Sequence, residues 1–230
     1  MTPPNARVRI VSSFEELLNT RFADGVNALC WPRMLEGDFA EVLNHLDVEP
    51  GITALETEHL QALPLSADGR QAVSAMLADA ALLQACGLQP ELNCIHGYTH
   101  DIESGPMRTD VCSFHADSAT VEADTWLCTY IGASSEGLLN EEALRRAELP
   151  ETRALLWKLY GGVDEAGFAE WLNDHFYDLH YAALPDARPY SFGTHHLWRI
   201  ATEHPGCAVP PCIHRAPDPV PGQKRLLLIS

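Results

Sequence analysis

Beyond Pro90 the sequence breaks into short β-type runs, Leu92 to Tyr98, Val111 to Ala116, Thr125 to Ile131, His195 to Ile200, Ala208 to His214 and Arg225 to Ser230. Runs this short, rich in β-branched and aromatic residues and punctuated by Gly, Pro and Asp, are strands of a compact antiparallel sheet. The first ninety residues carry the opposite signal and read as helical. Ser13 with Glu16 and Asp38 with Glu41 form capping boxes, and Val73, Met76, Leu77, Ala80 and Leu83 mark one face of a helix running from about Ala67 to Cys86, with Gly87 as its stop. A second helical block, from about Asn140 to Ala183, contains EEALRRAEL, ETRALLWKLYGG and EAGFAEWLNDHFYDLHYAA and interrupts the strands as an insertion. The expectation is an α+β chain in which residues 1–230 form one domain: a mainly helical part over 1–90, then a sheet core over 91–230 with helices at about 140–183.

Charge narrows the partners. Fifteen basic residues stand against 32 acidic ones, a formal net charge of −17, and no Lys/Arg cluster offers a footprint for phosphate backbones or anionic membranes. Nucleic acid and membrane surfaces are therefore not expected as partners, and a small molecule or peptide is. No apolar run approaches the roughly 20 residues of a membrane span and MTPPNARVRIVSSFEELL lacks the regions of a signal peptide, so a cytoplasmic location is expected. An odd count of seven Cys then points to reduced thiols or metal ligands rather than a disulfide framework.

The chemistry gathers around CSFHADSAT. His115 and Asp117 are two apart, so on a strand one imidazole and one carboxylate face the same way. His214 follows in CIHRAP, and Arg225 opens the apolar run RLLLIS. Two His and one carboxylate on one side of a metal leave its other positions open, as non-haem Fe(II) oxygenases require, and the planar fork of an Arg can grip the distal carboxylate of a 2-oxo acid. Three short Cys–His pairs, Cys94/His96, Cys112/His115 and Cys212/His214, make a competing zinc reading, in which Cys112 or Cys212 supplements the histidines. Arg215 should face away from His214 and form an outer ion pair; at most one of the adjacent His195 and His196 can face a ligand; and His175 and His180 fall in the helical block as surface or packing residues.

The order His115, Asp117, His214, Arg225 resembles the iron- and 2-oxoglutarate-dependent dioxygenases. That resemblance implies a double-stranded β-helix core of the jelly-roll or cupin-like type, an iron triad of His115, Asp117 and His214, and Arg225 as co-substrate anchor, although Leu227 stands where many of those enzymes carry a Ser two positions after the Arg. Across nearly the whole chain, VNALCWPR, FHAD, LCTYIGASSEGL, IHRAP and KRLLLIS are similar to the bacterial domain of unknown function 1826 family, with departures at Ile131, Ala133 and Ser134 to Glu136. This second resemblance implies an association with zinc homeostasis. Expected cofactors are thus Fe(II) with 2-oxoglutarate, or Zn in a non-catalytic metal-handling protein.

Overall fold

The computed structural model describes residues 6–97 and 105–230. Helix-start signals act where the sequence has them: Ser13 Oγ accepts the Glu16 N–H at the start of α1 (Phe14–Asn19), Asp38 accepts that of Glu41 at α2 (Phe39–His45), and, after α3 (Thr57–Ala62), Ser66 accepts that of Gly69 at α4 (Ala67–Ala85). Neither Glu completes a reciprocal box. Glu16 accepts from Ser12 one residue upstream, and Glu41 reaches across to the N–H and hydroxyl of Ser66, tying α2 to the start of α4. The α4 helix stops as expected. Gly87 takes a left-handed φ of 82°, which lets Leu88 N–H return to Leu83 O and Gly87 N–H to Gln84 O.

The N-terminal part is not helical throughout. It also supplies β1 (Val8–Ile10), β2 (Ala28–Trp31) and β3 (Gly51–Ala54), because β2 is apolar on both faces and needs cover on both. These join β4 (Glu91–His96), β5 (Asp124–Ile131), β10 (Leu197–Ala201) and β12 (Arg225–Ile229) in a seven-stranded sheet of order β1-β2-β10-β5-β12-β4-β3. A second sheet has the order β11-β6-β9, from β6 (Glu136–Leu138), β9 (Tyr190–Ser191) and β11 (Ile213–Arg215). The chain is therefore a mixed α+β structure, and its large sheet is open, with β1 and β3 at the edges.

Several expected boundaries move. Pro210 and Pro211 have no N–H to give a ladder, so the expected strand from Ala208 shrinks to β11. His195 has φ 69°, and the strand starts two residues later. The Tyr98 end of the first expected strand lies outside the described residues. In the insertion, EEALRRAEL is not a helix: β7 (Ala143–Arg145) pairs with β8 (Tyr181–Ala183), with single 3-10 turns on either side, while α5 (Pro150–Tyr160) and α6 (Glu165–Asp174) are helical as expected. No helix among the described residues is long and apolar enough to cross a membrane.

Alternation along the large sheet sorts its two faces. Trp126, Cys128 and Tyr130 of β5 and Leu226 and Leu228 of β12 pack under α1 to α4 against Leu17, Phe39, Val42, Met76 and Leu83. Leu127 and Leu227 point the other way, toward Phe192, Trp198 and Cys212 and the small sheet. Each fully buried aliphatic or aromatic side chain contributes roughly 1.5–3 kcal/mol by leaving water. That inner face, between the two sheets, carries the candidate site residues.

Candidate metal centre

The segment before His115 is not the strand its composition suggests. Asp110 holds it in a turn, its Oδ1 accepting the Cys112 N–H and its carbonyl accepting both the N–H and the hydroxyl of Ser113. The chain then extends for three residues between two neighbours. His115 and His214 exchange backbone hydrogen bonds (2.9 and 2.8 Å), while Ala116 N–H reaches Leu179 O and Tyr181 N–H reaches Phe114 O on the other edge. Phe114 and Ala116 consequently pack with Leu138, Tyr181 and Ile213, and His115 and Asp117 face inward.

There the three expected ligands meet. His115 Nε2 lies 3.6 Å from Asp117 Oδ1, and His214 Nε2 lies 3.6 Å from Asp117 Oδ2. One ligand atom from each of the three lies within 4.8 Å of the others, the only such His/Cys/Asp/Glu group among the described residues. Their outer contacts aim them. His115 Nδ1 donates to Ser113 O at 2.8 Å and His214 Nδ1 to Cys212 O at 3.3 Å; a carbonyl can only accept, so each Nδ1 carries a proton and each Nε2 is turned toward the centre. Thr125 Oγ1 donates to Asp117 Oδ2 at 2.5 Å, which fixes the carboxylate.

Electrostatics agree with that assignment. Burial, then the neighbouring His214, push His115 down to about 4, against the opposing pull of Ser113 O and Asp117. Burial alone would raise Asp117, but His214, the Thr125 hydroxyl and His115 together hold it below its ordinary value. At neutral pH the centre is thus a neutral imidazole beside a carboxylate, the protonation a metal requires.

For His180, expected at the surface or in packing, the structure gives the second. It is buried rather than exposed, its Nδ1 2.7 Å from Ser113 Oγ and its ring 5.8 Å from that of His115, and burial, with Arg146, lowers it to about 4. An unfolded chain takes up protons on His115 and His180 near pH 6.5, whereas the folded chain refuses them until about 4. Both shifts have one sign: stability is full above pH 6.5 and drains as pH falls toward 4. Urea midpoints of the metal-free chain should therefore decline steadily between pH 7 and pH 4.5, and a flat profile would contradict the burial of both neutral rings.

The cysteines stay out of the centre. Cys112 Sγ turns to Pro217 O, Cys212 lies beneath His214 beside the Tyr190 hydroxyl, and Cys94 sits in the helix-side core. Burial pushes Cys112 up to about 11 and Cys212 to about 12, so both are thiols, not thiolates. His195 packs its ring, tilted by 38°, against Phe39 and His196 accepts the Arg33 N–H, so neither faces the triad, and Arg215 pairs outward with Glu136.

Arg225 is brought to the same place. It lines one cavity of about 190 Å³ with His115, Asp117 and His214. The arginine is buried and donates to Thr129 Oγ1 at 3.1 Å and Ser135 Oγ at 3.3 Å, so hydroxyls from β5 and the turn after it stand beside it although Leu227 follows in place of a Ser. Gly132 in that turn allows the approach, since a Cβ there would lie 2.6 Å from Arg225 Cβ. Strand β5 joins the two ends of the cavity. Its inner face presents Thr125 to the triad carboxylate and Thr129 to the guanidinium, and four residues at about 3.3 Å each separate them by roughly 13 Å of strand.

Comparison with protein-family models, with curated proteins and with solved structures finds no match to this chain. The geometry of the site is the ground on which a function can be argued.

Proposed function

We propose that the chain is an Fe(II)- and 2-oxoglutarate-dependent oxygenase acting on a small molecule or peptide side chain. One observation carries the reading: an inward-facing His-Asp-His triad and a buried arginine line the same cavity. The donor set fits the metal, since two imidazole Nε2 atoms and one carboxylate make a facial triad with positions left open. The arginine fits a carboxylate, and the interval set by β5 leaves room for a ligand a few carbon atoms long once both side chains have reached inward.

The strand sequence supports a double-stranded β-helix core for this site. From β4 onward, and apart from the separate β7–β8 pair, the elements pass between the two sheets: β4 large, residues 114–116 beside β11 small, β5 large, β6 and β9 small, β10 large, β11 small, β12 large. Such winding brings β11 and β12, and hence His214 and Arg225, to adjoining positions around one interior.

Bound iron would supply the oxidising chemistry, coupling dioxygen reduction to decarboxylation of the 2-oxo acid. The chain's own residues do the rest. Ser113 O and Cys212 O keep both imidazoles in the ligating tautomer, Thr125 orients Asp117, and Arg225 binds the distal carboxylate and sets the direction in which the acid lies. Leu127 and Leu227 keep the intervening wall dry.

A non-catalytic zinc or metal-homeostasis protein is the second reading, favoured by the same donor set, which also suits zinc with an open fourth position. The two separate on turnover. Anaerobically loaded Fe(II) protein given 2-oxoglutarate and air should form succinate, and Arg225→Ala should raise the KM for 2-oxoglutarate on the order of tenfold to a hundredfold, the loss of a charge-assisted pair worth about 1.5–3 kcal/mol. Stoichiometric zinc that resists exchange, with no succinate under air, overturns the enzyme.

A further inference from the structure

We infer that the molecule oxidised at this site carries an aliphatic segment and one uncharged hydrogen-bonding group, an amide, alcohol or ketone, which Asn93 receives; the inference rests on the oxygenase reading above and deepens it. Two observations lead there. The first is the rim. Ile52 on β3, Val111 and Ile229 on β12 are 59%, 45% and 38% exposed, and all three line the cavity that holds the triad. Single exposed aliphatic residues are ordinary; three converging on one concave site define an apolar mouth. Ala216, Leu127 and Leu227 continue the same surface inward.

The second is Asn93. The residue is 6% exposed and lines the cavity, and its side-chain amide, which makes no hydrogen bond to the described residues, keeps access to that open space. An amide that no protein group engages at a cavity wall is met by water or by a ligand's polar group, and a ligand that displaces the water must replace its hydrogen bonds. Its place is set by the ladders. Asn93 lies opposite Leu227, and Leu227 opposite Thr129, so the amide stands in the same row as the threonine that holds Arg225, about 10 Å away across two strand spacings. Of the other polar lining groups, the triad and Arg225 have their roles and Ser135 is bonded to Arg225. Among the described lining residues Asn93 alone is left to read a second molecule. Charge argues the same way: apart from the triad and Arg225 the described lining holds no ionisable side chain, so a cationic or second anionic group on that molecule would find no counter-ion there.

The test needs neither iron nor turnover. Calorimetric titration of the full chain with N-butyl-, N-hexyl- and N-octylacetamide should give an affinity that rises two- to fourfold with each added methylene, the increment expected for a CH₂ leaving water at a partly open wall. Ile52→Asp, on an exposed edge position where folding is unaffected, should weaken N-hexylacetamide at least fivefold, and Asn93→Leu should weaken it by about tenfold while leaving the methylene increment intact. An affinity indifferent to chain length, or binding unchanged in both variants, overturns the inference. If Asn93→Leu fails to fold, the length series and Ile52→Asp still decide it. Because no reaction is read, absence of succinate leaves this result standing, and absence of acetamide binding leaves the oxygenase standing.

Discussion

Asp117→Ala is expected to cut the affinity for Fe(II) by at least a hundredfold while leaving the chain folded. Changes to groups that merely support a ligand cost about ten- to a hundredfold, and in the proposed centre Asp117 would itself be a ligand, so its loss should exceed that range. The carboxylate also balances the centre. It lies 3.6 Å from each Nε2, and without it two imidazoles whose ring centroids are 4.5 Å apart would have to share a dication with no protein anion. Folding should survive because the backbone pair between His115 and His214 and the packing of Phe114 and Ala116 do not involve this side chain. Anaerobic metal titration, with circular dichroism as the control, reads the outcome. Wild-type iron stoichiometry and affinity in a folded Asp117→Ala protein would dismiss the triad.

Asp79→Ala should do the reverse, costing about 3–5 kcal/mol of stability with no change in the metal stoichiometry of the folded fraction. Asp79 is 3% exposed on the inner face of α4. Both its oxygens accept from the Arg33 guanidinium, one at 2.8 Å, and Oδ2 also accepts the Tyr130 hydroxyl at 2.9 Å. Arg33 spans the layers, donating also to His195 O and lying over the Trp31 ring. Removing the carboxylate strands a buried guanidinium and a buried phenol together, a penalty comparable with much of the 5–15 kcal/mol that keeps a domain folded. Urea denaturation measures it. A loss below about 1 kcal/mol would mean that water reaches Arg33 and that the layer is looser than its burial implies.

These two sites differ in how far the sequence discloses them. Spacing puts His115 and Asp117 on one face, because i and i+2 share a face wherever the backbone is extended, whereas His214 and Arg225 join them in the expectation only through their order, which resembles that of the dioxygenases. The reason for the extension was not legible. It comes from Asp110, which ends a turn, and from neighbours at Leu179–Tyr181 and His214 that lie far along the chain. Partners of this kind leave no local mark, so Thr125, Thr129, Ser135 and Asn93 passed as ordinary strand and turn residues. Asp79 was hidden for another reason: a carboxylate on a long helix normally reads as solvated surface, and only the approach of Arg33 from the loop after β2 makes it a core residue. The strands of the N-terminal part were missed because helix caps surround them, and EEALRRAEL because strong helix formers yielded to pairing with Tyr181–Ala183.

The mutual backbone pairing of His115 and His214 reaches beyond geometry. Residues about a hundred positions apart are held in register by amide and carbonyl groups that a metal never touches. In metal-organised folds the ion is the nucleus around which a chain condenses, and affinity is inseparable from folding. Here the backbone bonds between His115 and His214 hold two of the candidate ligands together through groups that would not touch an ion. With an ion bound as proposed, loading and release would then take place on a scaffold that has its own ties, and the fold would not have to be undone for the ion to leave.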